Sequence, residues 1–121
     1  MAQERRRPYR ADLFAKIVEA AMTRKLITYG DLQTSRAMVG KYLSRISHEE
    51  KLANRPPITA VVVTAQSRRP GPGFLDTMRE IGYLLPGESE LQVWKRALND
   101  VYAYWAPKLD EDSWEDWPSH A

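Results

Sequence analysis

The sequence predicts a mainly helical domain with one small β element, and three observations predict it. Residues 11–25, 36–53 and 91–105 repeat apolar side chains at three- and four-residue spacing, the pattern of helices with one buried face. Residues 58–65, "ITAVVVTA", form a β-branched apolar run with a proline before it, the pattern of a buried strand. A chain of 121 residues suffices for one modest core.

Each element has its own local reasons. In 11–25, Leu13, Phe14, Ile17, Val18 and Ala21 share a face, with Asp12 in the first turn and Arg24 and Lys25 in the last, matching the helix dipole. "ITYGDLQ" follows. Thr28 is placed to cap a short helix holding Asp31 and Leu32, with Asp31 three residues after the cap. Gln33, Thr34 and Ser35 make a polar turn, and Ser35 is placed to cap 36–53. There Val39, Tyr42, Leu43 and Ile46 line one face, while Lys41, Arg45, His48 and Glu49 lie off it.

Gly40 inside this helix costs about 1 kcal/mol relative to alanine. Such a position either serves close approach of another backbone or is simply tolerated. "NRPP" ends the helix, and the strand leads into "QSRRPGPGF", a loop with two prolines and two glycines. Residues 74–84 read as a helix with Phe74, Leu75, Met78, Ile81 and Gly82 on or near its inner face. After a turn, Ser89 caps 91–105, whose stripe is Leu91, Trp94, Leu98, Val101 and Trp105. This helix is expected to stop before Pro107.

Residues 1–10 carry Arg5, Arg6 and Arg7 without apolar spacing and read as a basic flexible arm. Residues 11–106 form the domain, and 107–121 an acidic tail with Trp114 and Trp117. The net charge of +2 conceals an asymmetry: residues 1–80 carry 15 Lys and Arg against 8 Asp and Glu, and residues 81–121 carry 3 against 8. A basic body with an acidic tail is a pattern of interaction proteins, or only a means to solubility.

Composition also excludes. No cysteine is present, so disulfides, thiolate nucleophiles and cysteine metal sites are ruled out in this chain. His48 and His120 are far apart, so no metal site is expected, and no cofactor. No apolar run approaches the roughly 18–20 residues of a membrane span. "MAQERRRPYR" lacks the apolar stretch of a secretory signal. A cytoplasmic protein without membrane contact is the expectation.

The order of parts adds a resemblance. An amphipathic helix, "ITYGDL", a helix containing "RAMVG", a proline-led valine strand, a glycine-rich turn and a short helix follow one another over residues 11–85. This order resembles the C-terminal winged-helix domain of O6-alkylguanine-DNA alkyltransferases and alkyltransferase-like proteins. That family has "TYG-(D/E)-LA", an "RAVG" recognition helix and a proline-cysteine-histidine-arginine-valine strand. The resemblance implies a winged-helix-like three-helix core plus a C-terminal helix, and a DNA-binding surface. Tyr29 matches a tyrosine near the phosphate of a flipped nucleotide, and Arg36 the arginine that enters the DNA stack.

Departures from the pattern narrow what carries over. The acceptor cysteine belongs near residues 57–59, and its absence excludes alkyl transfer to the protein. "RAMVG" is one residue longer than "RAVG", which turns Arg36 about 100° around the helix relative to Val39 and Gly40.

The candidate nucleic-acid contacts are therefore Tyr29, Ser35, Arg36, Lys41 and Arg45 near the recognition helix, Arg68 and Arg69 in the wing-like loop, and Arg5, Arg6 and Arg7 in the arm. Arginine bonds bidentately to phosphate or guanine, and Lys41 and Arg45 share a face at four-residue spacing. Solvated helix faces have the same composition, so that alternative stands beside it. The "HEE" of residues 48–50 lacks the second histidine of a zinc helix. Asp76 and Glu80 are spaced to share a cation or to form a solvated face with Arg79. Trp94 and Trp105 belong to the core stripe, whereas Trp114 and Trp117 either fold back or dock on a partner. The expected function is non-catalytic binding of nucleic acid, duplex DNA before RNA. The alternative is a protein-interaction or inhibitory accessory factor, phage- or defence-associated, acting through its surface and aromatic-acidic tail.

Overall fold

A computed structural model describes residues 2–33 and 36–111, with side chains described for 12–33 and 38–109. Among the described residues the chain is mainly helical, with four α-helices and a two-stranded parallel sheet. Helix α1 is Ala2–Met22, strand β1 Ile27–Thr28, and helix α2 Arg36–Leu52. Strand β2 is Val62–Val63, helix α3 Phe74–Glu80 and helix α4 Glu90–Glu111. Short 3-10 turns occupy Gly30–Leu32 and Ile58–Val61.

Two adjoining apolar clusters hold these elements. The first joins Leu13, Ile17 and Ala21 of α1, Leu32 of the 3-10 turn, Val39 and Ile46 of α2, and Ile58, Val61 and Val62 to Val101 and Trp105 of α4. The second joins Ala60, Val63, Phe74, Met78 and Ile81 to Val93, Trp94 and Ala97. The valine-rich run is thus the hub, buried on every side by helices. Trp94 and Trp105 lie in the core as their spacing predicts, and the Trp94 indole N–H donates to the Ala60 carbonyl at 2.8 Å.

Helix caps follow the sequence closely. Thr28 and Asp31 bond reciprocally: the Thr28 N–H donates to Asp31 Oδ2 at 3.1 Å, and the Asp31 N–H to Thr28 Oγ1 at 3.2 Å. Ser89 and Gln92 repeat this pattern at the start of α4.

Four expectations are corrected. Helix α1 begins at Ala2, so the backbone of Arg5, Arg6 and Arg7 is helical and not a flexible arm. Residues 2–10 lack apolar periodicity, but Glu, Arg and Ala favour helix by propensity. The run 58–65 is a 3-10 turn followed by two strand residues, because only Ile27 and Thr28 are available to pair with Val62 and Val63. Helix α3 stops at Glu80, since Gly82 at φ +73° reverses the chain and the Tyr83 and Leu84 N–H groups return to the Met78 carbonyl. Helix α4 continues through Pro107 to Glu111, with Leu109 beyond the proline packed on the first cluster.

Candidate nucleic-acid interface

The parallel pairing of β1 with β2 positions the first site residue. The Tyr29 N–H donates to the Val63 carbonyl at 3.1 Å, which extends the pairing by one bond. Its ring then crosses to the loop after β2, where Tyr29 Oη accepts the Gly71 N–H at 3.0 Å. Gly71 is buried, and a Cβ there would fall on the Tyr29 hydroxyl and lie 2.8 Å from its Cε2. The ring is tied at both ends, so only glycine fits under it.

This contact closes one wall of a small cleft of about 70 Å³. Tyr29, Pro70 and Pro72 stand on one side, and Gly40, Leu43 and Ser44 of α2 on the other. Phe74 and Val62 add apolar lining. Ser47 and Thr59, both buried, also line it, and their hydroxyls are bonded at 2.6 Å. Two hydroxyls sharing one hydrogen bond keep further donor and acceptor capacity for a polar atom in the cleft.

Gly40 and Ser44 also line an open groove on the outer face of α2, with Met38, Lys41, Tyr42, Arg45 and His48. Cleft and groove therefore share a wall. Among the described residues, leaving aside its chain neighbours and the helix's own backbone, no atom lies within 4 Å of where a Gly40 Cβ would be. Close packing within the protein does not explain this glycine, which instead faces the open side of the helix. Lys41 and Arg45 are exposed one turn apart. At the groove's edge, His48 Nε2 lies 3.1 Å from Glu80 Oε1 and links α2 to α3.

Arg68 and Arg69 end a tightly bonded turn. The Arg68 N–H donates to the Thr64 carbonyl and the Thr64 N–H to the Arg69 carbonyl, both at 2.9 Å. The Ser67 and Arg69 N–H groups donate to the Thr64 and Ser67 hydroxyls at 3.2 Å. Arg68 takes φ +57°, a left-handed conformation that costs a non-glycine residue about 1 kcal/mol or more. Both side chains are exposed. The loop has no partner strand among the described residues. Its charge reaches the Tyr29 side of the site: the Asp31 carboxyl is held below its usual range first by the Thr28 N–H and hydroxyl, and further by Arg68 and Lys16.

Tyr29 thus lines the cleft, Lys41 and Arg45 line the groove that shares Gly40 and Ser44 with it, and Arg68 and Arg69 line neither but precede Pro70 of the cleft wall. The side chains of Arg5, Arg6, Arg7 and Arg36, and the whole of Ser35, Trp114 and Trp117, lie outside the described residues. The acidic candidates separate. Asp76 pairs with Arg79 at 2.8 Å, Glu80 with His48, and Glu50 with Arg55 at 2.7 Å. Among the described residues no group of three His, Asp or Glu is arranged to hold a metal ion.

Sequence reasoning missed the cleft. The signal was present in Gly40, Ser44 and Ser47, small residues at helical spacing beside the basic face, but their partner Thr59 lay in what read as a strand. Comparison with known protein families, with curated proteins and with solved structures finds no match.

Proposed function

We propose that this chain is a non-catalytic nucleic-acid-binding module of winged-helix type that takes duplex DNA against the outer face of α2 and the loop after β2. One observation carries the reading: Lys41 and Arg45 flank a groove that shares the Gly40 and Ser44 wall with a cleft roofed by Tyr29. Exposed cations beside a concave, mixed apolar and hydroxyl-lined recess suit a phosphate backbone with a base beside it. The alkyltransferase-like resemblance adds that Tyr29 would stand near the phosphate of a nucleotide turned towards the cleft. Without a cysteine nothing would be transferred to the protein.

The test is a fluorescence-polarisation titration with duplex DNA, single-stranded DNA and RNA at two salt concentrations. If Lys41, Arg45, Arg68 and Arg69 each neutralise one phosphate, log K falls with log salt at a slope of about −3 to −4. Reversing Lys41 and Arg45 to Glu together lowers that slope by about two, and reversing Arg68 and Arg69 does the same. Absence of binding at low salt overturns the reading.

A second reading, a protein-interaction module, draws on Leu52. This side chain is 85% exposed beside an open groove lined by Lys51, Asn54, Arg55 and Tyr104. It predicts no salt-dependent nucleic-acid binding, so the same titration separates the two.

A further inference from the structure

Helix α2 ends in a bonded turn beside α4. The Asn54 N–H donates to the Lys51 carbonyl at 3.0 Å and the Arg55 N–H to the Glu50 carbonyl at 2.9 Å, with Asn54 in the left-handed region at φ +59°. That turn leaves Leu52 85% exposed beside the open groove of about 550 Å³ between α2 and α4. The α4 wall of this groove is Asp100, Ala103 and Tyr104. Its charges divide. Arg55 is taken by Glu50, and Asp100 by the Tyr83 hydroxyl. Lys51 forms no ion pair among the described residues, and Lys108 Nζ stands 4.5 Å over the Tyr104 ring. A fixed leucine, an aromatic ring and two cations along one groove suit an occupant that carries both apolar and acidic groups.

We propose that this groove seats residues 112–121 of the same chain, so that the acidic, tryptophan-bearing tail folds back between α2 and α4. The tail reads "DSWEDWPSHA". Asp112, Glu115 and Asp116 supply carboxylates for Lys51 and Lys108, and Trp114 and Trp117 supply apolar surface for Leu52 and Tyr104. The point of exit favours this seat. Tyr104, Lys108 and Glu111 fall at positions i, i+4 and i+7 of α4, so the helix ends on the face that walls the groove. Glu111 lies about 10 Å along the helix axis from Tyr104. Three extended residues span about 10 Å, so Trp114 is the first tail residue able to return to the Tyr104 ring. A short tether sets a high effective concentration, so contacts too weak to hold a free partner suffice. No α4 residue lines the outer groove of α2, and the tail's exit does not favour the basic face. The inference stands whether or not that face takes nucleic acid.

The full chain lacks cysteine, so Ser119→Cys can carry a single nitroxide label for paramagnetic NMR. The amide signals of Lys51, Leu52, Asn54 and Ala103 are expected to lose intensity relative to the reduced label, while those of Lys41 and Arg45 keep theirs. Lys51→Glu with Leu52→Ser, both at exposed positions, is expected to restore the lost signals, and thermal melts establish that this variant is folded. The labelled chain with its groove intact decides the seat without that variant. A mixture of labelled chain and unlabelled, isotope-enriched chain is expected to show no loss. Loss in the mixture means that the tail of a second copy fills the groove, and overturns the intramolecular seat. Loss centred on Lys41 and Arg45 means that the tail covers the basic face, and uniform or absent loss means that it has no seat; each overturns the proposal. Loss that survives Lys51→Glu with Leu52→Ser overturns this groove as the site.

Discussion

The end of the molecule where α3 meets α4 and the outer face of α2 are both rich in charge, yet they use it differently. Around α4, Arg96 lies 4.1 Å over the Tyr83 ring and donates to Glu88 at 2.7 and 2.9 Å and to the Tyr83 carbonyl at 2.5 Å. The Tyr83 hydroxyl donates to Asp100, and burial followed by that carboxylate raises the phenol's pKa. The base of α2 belongs with this region, since fully buried Glu50 accepts two hydrogen bonds from Arg55 Nε and one from its Nη2. On the outer face of α2, Lys41 and Arg45 form no ion pair among the described residues. Arg68 and Arg69 form none in the loop. Charge that closes on itself stabilises the fold. Charge left open beside a concavity is available to a ligand.

Substitutions can break or sharpen that contrast, and the largest effect is expected on the paired side. Glu50→Ala strips a buried partner from Arg55, and loss of one member of such a pair costs about 3 kcal/mol, the lower end because Arg55 is a third exposed. Chemical denaturation should show that loss, while the folded fraction binds DNA as the wild type does. Gly71→Ala comes next. Its methyl displaces the Tyr29 ring, which overpacks the cleft wall and costs about 1–3 kcal/mol. Unlike Glu50→Ala, it is expected to weaken binding in a titration of folded protein, because the displaced ring forms one side of the site.

Gly40→Ala should move the two properties in opposite directions. Alanine in an open helix position stabilises by about 1 kcal/mol, so the melting temperature rises while affinity falls. Affinity unchanged in this variant would mean that the Gly40 wall is merely solvated.

The smallest effect is a pH dependence. The Arg96 guanidinium, followed by the Leu85 N–H, holds the Glu88 carboxyl at about 2, below its usual 4.5. A carboxyl with a lowered folded-state pKa stabilises the protein above the unfolded value and loses that contribution as pH falls. Thermal midpoints of the wild type and Glu88→Gln should therefore differ most above pH 4.5 and converge towards pH 2. A gap that stays constant across that range would deny the pair its role.

Much of the fold was legible because it is local. The Thr28–Asp31 and Ser89–Gln92 caps, the apolar stripes and the core positions of Trp94 and Trp105 depend on residues a few positions apart. The basic residues of the candidate site were legible by type and spacing. The cleft was not, because it joins Tyr29 to Gly71 across 42 residues and Ser47 to Thr59 across a proline turn. The misread strand shares this origin. Val62 and Val63 had the right composition, but only two partner residues existed.

The sequence by itself determined the helical periods, the caps, the lack of a thiol and the basic bias of the first two-thirds of the chain, since each is a property of residue type at short spacing. Only the tertiary structure decided which charges are paired, why Gly71 must lack a side chain, and that Gly40 opens a wall shared by cleft and groove. Those outcomes depend on which distant side chains meet when the helices pack, and burial and contact are properties of the assembled chain.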